Sequence, residues 1–123
     1  MKKKQLTELA VAELVERFTA VTLGQYQAEL YDENAKYNRL YREMSDIEHE
    51  LKSRAGDRRV ALTALYEHKN PQVRLMAAQA TLAVAPEAAR KVLQIISDRK
   101  EWPQAADANG TLWRLATGER KPT

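Results

Sequence analysis

Residues 73–85 read VRLMAAQATLAVA. Only Arg74, Gln79 and Thr81 interrupt the apolar run. Asn70-Pro71 precedes it and Pro86 follows it. An Asn side chain accepts the open backbone N–H groups of a first helical turn, and proline suits the first helical position. The spacing predicts a helix over 73–85. A helix that is apolar nearly all round must be covered on several sides, so this segment is expected at the centre of the fold. Ala77, Ala78, Ala80 and Ala83 lack bulk and let neighbouring helices approach closely.

Working outward, Pro86 opens a further helix with Glu87 at its positive end. Ala89, Val92, Leu93 and Ile96 are expected to form its buried stripe. Residues 97–101 read as a polar loop, and Trp102, before Pro103, is expected to be extended. A last helix runs from Pro103 to about Thr117 and is closed by Gly118; Asn109-Gly110 is a point where it is expected to weaken. Leu112 and Trp113 are expected to pack back on the domain. Upstream of the central run, His68-Lys69-Asn70-Pro71 reads as a turn. Before that turn, Asp57 caps a short helix that carries Val60, Ala61, Leu62, Leu65 and Tyr66.

The first third reads as two long helices. Val11, Leu14, Phe18 and Val21 recur at three- and four-residue steps, with Thr7 as the expected N-cap and Gly24 as a weak point. Asp32 is the expected cap of the second helix. There, Tyr37, Leu40, Met44, Ile47 and Leu51 form a narrow seam like that of a coiled coil, able to bury itself within the monomer or across a dimer. Gly56 is the expected left-handed stop. These pieces add up to an all-α chain of about six helices, two long ones followed by shorter, repeat-like ones.

The chain has 123 residues, 44% hydrophobic and 30% charged, which fits one packed domain over 1–123 with loose ends at 1–6 and 119–123. It holds no cysteine, so disulfides, thiolate nucleophiles and Cys-ligated zinc are excluded. Its two histidines rule out a His-rich metal site. The basic start Met1-Lys2-Lys3-Lys4 precedes Leu6 and Leu9, but Glu8 and Glu13 break the stretch, and no small-residue cleavage site follows. No run approaches the length of a membrane span. The expectation is a soluble, cytoplasmic protein.

The stretch from Arg59 to Ser97 resembles a HEAT or armadillo-type repeat: VALTALYEH, the turn KNP, QVRLMAAQATLAVA, then Pro86 and another helix. In that pattern Val73 and Ala77 pack inward and Arg74 bonds across the turn. HEAT repeats often carry Asp where this chain has Asn70, a departure from the usual Asp–Arg ladder. About one and a half repeats fit. Over nearly the whole chain, AKYNRLYREM, ELKSRAGDRR, NPQVRLMAAQATLAVAPEAAR and TLWRL resemble a small bacterial family, domain of unknown function 2019. That resemblance implies an α-α superhelix of HEAT/armadillo type, and brings no activity and no catalytic residues. Some such small bacterial domains serve as immunity or antitoxin partners.

Candidate chemistry is sparse. Asp46 and His49 have the carboxylate–His spacing of di-iron bundles, with Glu43 and Glu50 nearby, but a second such motif is missing and a solvated acidic face is the simpler reading. Ser45, Ser53 and Ser97 sit in no nucleophile motif, and there is no Gly-rich phosphate loop. Lys36, Tyr37, Arg39, Tyr41 and Arg42 interleave aromatic and basic groups as a base-stacking surface would, yet Tyr37 belongs to the apolar seam and the arginines have acidic neighbours. Charge is divided more clearly. Residues 1–55 hold 9 basic and 10 acidic groups, and residues 56–123 hold 11 and 7. Arg58, Arg59, Lys69 and Arg74, with Gln79 on the inner helix, form the candidate binding surface for an acidic protein or a phosphate backbone. The reading is a non-enzymatic protein–protein interaction module with no cofactor and no metal; a nucleic-acid-binding helical domain is the alternative.

Overall fold

The computed structural model describes residues 5–123. The basic start at residues 1–4 lies outside the described residues. Among the described residues the chain forms five α-helices and two 3₁₀ helices, and no strand. None of these helices is long and apolar enough to cross a membrane. The expected all-α class and helix count hold. The chain divides into two compact units, one up to Ala61 and one from Leu62 onward.

The first unit is a helical hairpin. Helix α1 spans Val11–Leu30 and α2 spans Asn34–Ser53. Gly24 lies against Leu40, Gln25 Nε2 lies 3.5 Å from Met44 Sδ, and Arg54 Nη2 donates to the carbonyls of Leu6 and Leu9. Contacts that pair early residues with late ones make the two helices antiparallel. Leu14, Phe18, Val21 and Ala28 of α1 are buried, as are Met44, Ile47 and Leu51 of α2. The seam on α2 is thus covered by α1 in its lower half, while Tyr37 and Leu40 are half-buried. Tyr37 and Tyr41 stack on each other, with ring centroids 6.4 Å apart.

The caps differ from the expected ones. Thr7 falls in a 3₁₀ turn, Leu6–Glu8, and α1 begins after Ala10. Alanine has no side-chain acceptor, so only half of a capping box forms: the Ala10 N–H donates to Glu13 Oε1 at 3.1 Å. Asp32 closes α1 instead of opening α2. It adopts φ 54°, and the N–H groups of Asp32 and Glu33 return to the carbonyls of Glu29 and Ala28. That pairing satisfies the orphan carbonyls of the last turn, and Asp tolerates the left-handed region better than most residues. Gly56 is left-handed as expected, at φ 79°.

The chain continues from the first unit into the second through a 3₁₀ helix, Arg58–Leu65. Within the second unit α3 spans Pro71–Ala80, α4 Pro86–Asp98 and α5 Gln104–Thr117, and all three pack on one another. Asn70 Oδ1 accepts from the N–H of Gln72 at 2.8 Å and of Val73 at 3.4 Å, so the expected cap and N1 proline stand as read. Residues 72–78 are buried without a break. α3 ends five residues earlier than expected. Pro86 has no N–H and forces Ala85 out of helical geometry, to φ −145° and ψ 62°. Thr81 adds to the stop: its hydroxyl lies 2.8 Å from the carbonyl of Ala77, one turn back.

Other expectations are revised. α4 runs through Ser97 to Asp98, so the polar loop is shorter. α5 continues through Asn109-Gly110 and ends at left-handed Gly118, φ 81°. Its Gly110 costs helix stability but packs against Arg114. Trp102 lies in a turn, joined to Pro103 by a cis peptide bond. Trp113 does not pack back: it is 60% exposed, and Trp102 59%. α5 instead buries Ala105, Ala108 and Thr111.

The approach of Leu40 to Gly24 sets a size limit in α1. A Cβ there would meet Leu40 Cδ1 at 3.0 Å. Gly24→Ala is therefore expected to be near neutral, since a terminal methyl can give way and alanine favours the helix. Gly24→Leu is expected to destabilise by about 1–3 kcal/mol. Denaturant midpoints of the two variants check this.

Candidate interaction cleft

Helix α3 starts at a turn, and the turn is held by one side chain. Arg74 sits in the first turn of α3, with its side chain only 9% exposed. Its Nε donates to the carbonyl of His68 at 2.7 Å, and Nη2 to that of Lys69 at 3.3 Å. Nη1 and Nη2 grip Glu101 Oε1 and Oε2 at 2.8 and 2.7 Å. The bond across the turn was legible in the sequence; the carboxylate 27 residues away was not. Glu101 reaches it because α4 ends in a left-handed residue, Lys100 at φ 54°. The Lys100 and Glu101 N–H groups return to the carbonyls of Ser97 and Ile96, which reverses the chain there.

A second local bond completes the turn. The N–H of Asn70 donates to His68 Nδ1 at 3.0 Å. An accepting Nδ1 carries no proton, so the ring proton is on Nε2, which is left as the donor of the imidazole. Behind the turn, the Tyr66 hydroxyl lies 2.5 Å from that of Thr81. Thr81 directs its proton at the carbonyls of its own helix, so Tyr66 is the donor. Burial raises the Tyr66 pKa above its ordinary value.

Between this turn and α4 lies a cleft of about 440 Å³, lined by Tyr66, Glu67, His68, Lys69, Arg74, Val92, Ile95 and Arg99. α4 contributes two faces. Ala89, Leu93 and Ile96 point into the core. Val92, Ile95 and Arg99, spaced at three and four residues, line the cleft. Val92 was expected in the buried stripe; it is half-buried because it belongs to this second face. Arg99 closes the C-terminus of α4, where a cation suits the negative end of the helix.

The residues of the candidate binding surface fall in different settings. Arg58 is exposed in the first unit. Arg59, beside it, is buried and bidentate to Asp57, at 2.9 Å from Nε and 2.6 Å from Nη2. The Arg59 guanidinium holds the Asp57 carboxyl below its ordinary pKa, and the Arg59 pKa rises in turn. Lys69 and Arg74 both line the cleft, but the charge of Arg74 is balanced by Glu101. Gln79 faces α5, where its Nε2 donates to Asp107 Oδ1 and Thr111 Oγ1 at 3.0 and 3.1 Å. Arg99, Ile95 and His68 were missed. Ile95 carried a signal, since an apolar residue off the core stripe beside an arginine marks a second face. Among the described residues, no three His, Asp or Glu side chains gather where they could hold a metal ion.

The fold is all-α among the described residues, with a donor-lined cleft in its second unit. The chain belongs to the family described as Domain of unknown function (DUF2019), which matches residues 12–116. It is similar to a solved structure, "Crystal Structure of the Protein RPA1889 from Rhodopseudomonas palustris CGA009", at 45% identity and a TM-score of 0.95, over 98% of this chain and 100% of that one. No curated protein matches the chain.

The clamp has a pH signature. Hydrogen bonding from Arg74 holds the Glu101 carboxyl below its ordinary value of 4.5. A carboxylate with a depressed folded-state pKa contributes its stability above the unfolded value, and that contribution is lost as pH falls through the folded value. Stability is expected to drop below pH 4.5 more steeply in the wild type than in Glu101→Gln. At neutral pH that variant, which strands a buried guanidinium, is expected to lose about 1–3 kcal/mol. Conversely, Lys100→Gly relieves the left-handed strain and is expected to gain up to about 1 kcal/mol. Thermal unfolding of both variants between pH 3 and pH 7 checks the set.

Proposed function

We propose that the chain is a non-enzymatic protein–protein interaction module of the cytoplasm, and that the cleft beside the 66–70 turn is its contact. The observation that carries this is the cleft itself. Its walls are a helix face and a turn pinned by Arg74, and its groups are binding groups: the Lys69 ammonium, the Arg99 guanidinium, the His68 N–H, and the apolar Val92 and Ile95. A site already rigid before contact spends little ordering entropy on binding. Helix pairs at the spacing of a HEAT-like repeat over 59–97 suit such a role, because stacked helices expose a continuous face. An immunity- or antitoxin-like form of the role rests on the sequence resemblance alone.

Nucleic-acid binding is the second reading, favoured by the basic excess of residues 56–123. The geometry supports it less well. Two of the candidate cations, Arg59 and Arg74, are neutralised by Asp57 and Glu101. The chain's formal charge is only +3.

The test is capture from the source organism on the tagged full chain, followed by reconstitution with the purified partner. A stoichiometric protein complex, weakened by Lys69→Glu/Arg99→Glu, is the expected result. Affinity for short duplex DNA that falls steeply with salt, with no stoichiometric protein partner, would overturn the reading.

A further inference from the structure

Resting on the interaction-module reading, we infer that the cleft recognises an acidic segment of its partner in which a carboxylate lies next to an aliphatic side chain. Three donors converge on the cleft and only one carboxylate opposes them without a partner of its own. Lys69 and Arg99 are exposed, and neither is held in a salt bridge among the described residues. His68 contributes Nε2–H, because Nδ1 is already engaged by Asn70. The carboxylate of Glu101 is taken by Arg74, so Glu67 on the rim is the remaining acid. The cleft is therefore rich in donors and short of acceptors, which complements an anion.

The apolar wall narrows the ligand further. Ile95 is 38% exposed and one helical turn from Arg99, with Val92 a further turn back. A ligand that places a carboxylate on Arg99 and Lys69 therefore lays its neighbouring group against Ile95. An aliphatic side chain gains from that burial, and a sugar-phosphate backbone does not. Tyr66 is the one aromatic residue lining the cleft, and its hydroxyl is spent on Thr81. A cleft of about 440 Å³ holds a few side chains, the size of a short peptide segment. Specificity would come from the pairing: the cations reject basic segments, and Ile95 discriminates against a purely polar acid.

Panning a random peptide library against the full chain tests this. Peptides enriched in Asp or Glu beside Leu, Ile or Val are the expected product. Their affinity should fall about tenfold in Lys69→Ala/Arg99→Ala and by a smaller factor in Ile95→Ser. All three positions are exposed, and circular dichroism confirms that the variants fold. Enriched peptides without acidic residues, or binding indifferent to both variants, would overturn the inference while leaving an interaction module standing. No enrichment at all would also overturn it. If short duplex DNA then bound the wild type and not the double variant, the module reading would fall as well.

Discussion

A single buried guanidinium organises the second unit. Arg74 lies in the first turn of α3, where the helix dipole is positive and a cation is least welcome. Burial adds a desolvation cost. Both are offset from outside the helix, by the carbonyls of His68 and Lys69 and by the two oxygens of Glu101. The arrangement answers two needs at once. The turn before α3 has carbonyls with no helical partner, and Arg74 supplies their donors. In return the turn, the start of α3 and the end of α4 are tied at one point. The cleft borders that point, so its shape depends on the same bonds.

Much of the helical pattern was legible, for local reasons. Asn70-Pro71 states its own role, because an Asn side chain and a proline ring act on the residues beside them. Gly118 likewise ends α5 where expected. The apolar spacing of Leu14, Phe18 and Val21, or of Ala89, Leu93 and Ile96, reflects a helix facing one neighbour. Boundaries were less legible where a cap was supplied by a residue of the wrong type. Ala10 cannot cap, and Glu13 reaches back in its place. Asp32 has the chemistry of an N-cap and the backbone of a C-terminal stop. Thr81 and Pro86 together shorten α3, although residues 81–85 are as apolar as those before them.

The candidate site was half legible. A string of basic residues shows which cations exist and hides which are already matched. Arg59 finds Asp57 two residues away, a pairing the sequence allowed. Arg74 finds Glu101 only because the chain returns after α4. What remains in the cleft to face a ligand is Lys69 from the expected set and Arg99 from outside it. The alternation on α4 explains the omission of Ile95: a helix amphipathic in two directions looks, in one dimension, like a helix with a slightly wide stripe.

The two tryptophans have an optical consequence. Trp102 and Trp113 both belong to the second unit, and each stands more than half in water. Their emission in the native chain should already resemble that of a solvated indole, so denaturation will barely shift its colour. The first unit is silent at that wavelength and is seen only through tyrosines such as the stacked pair Tyr37 and Tyr41. A fluorescence trace of melting would therefore give a small signal from the second unit alone, where far-ultraviolet dichroism records the helices of both.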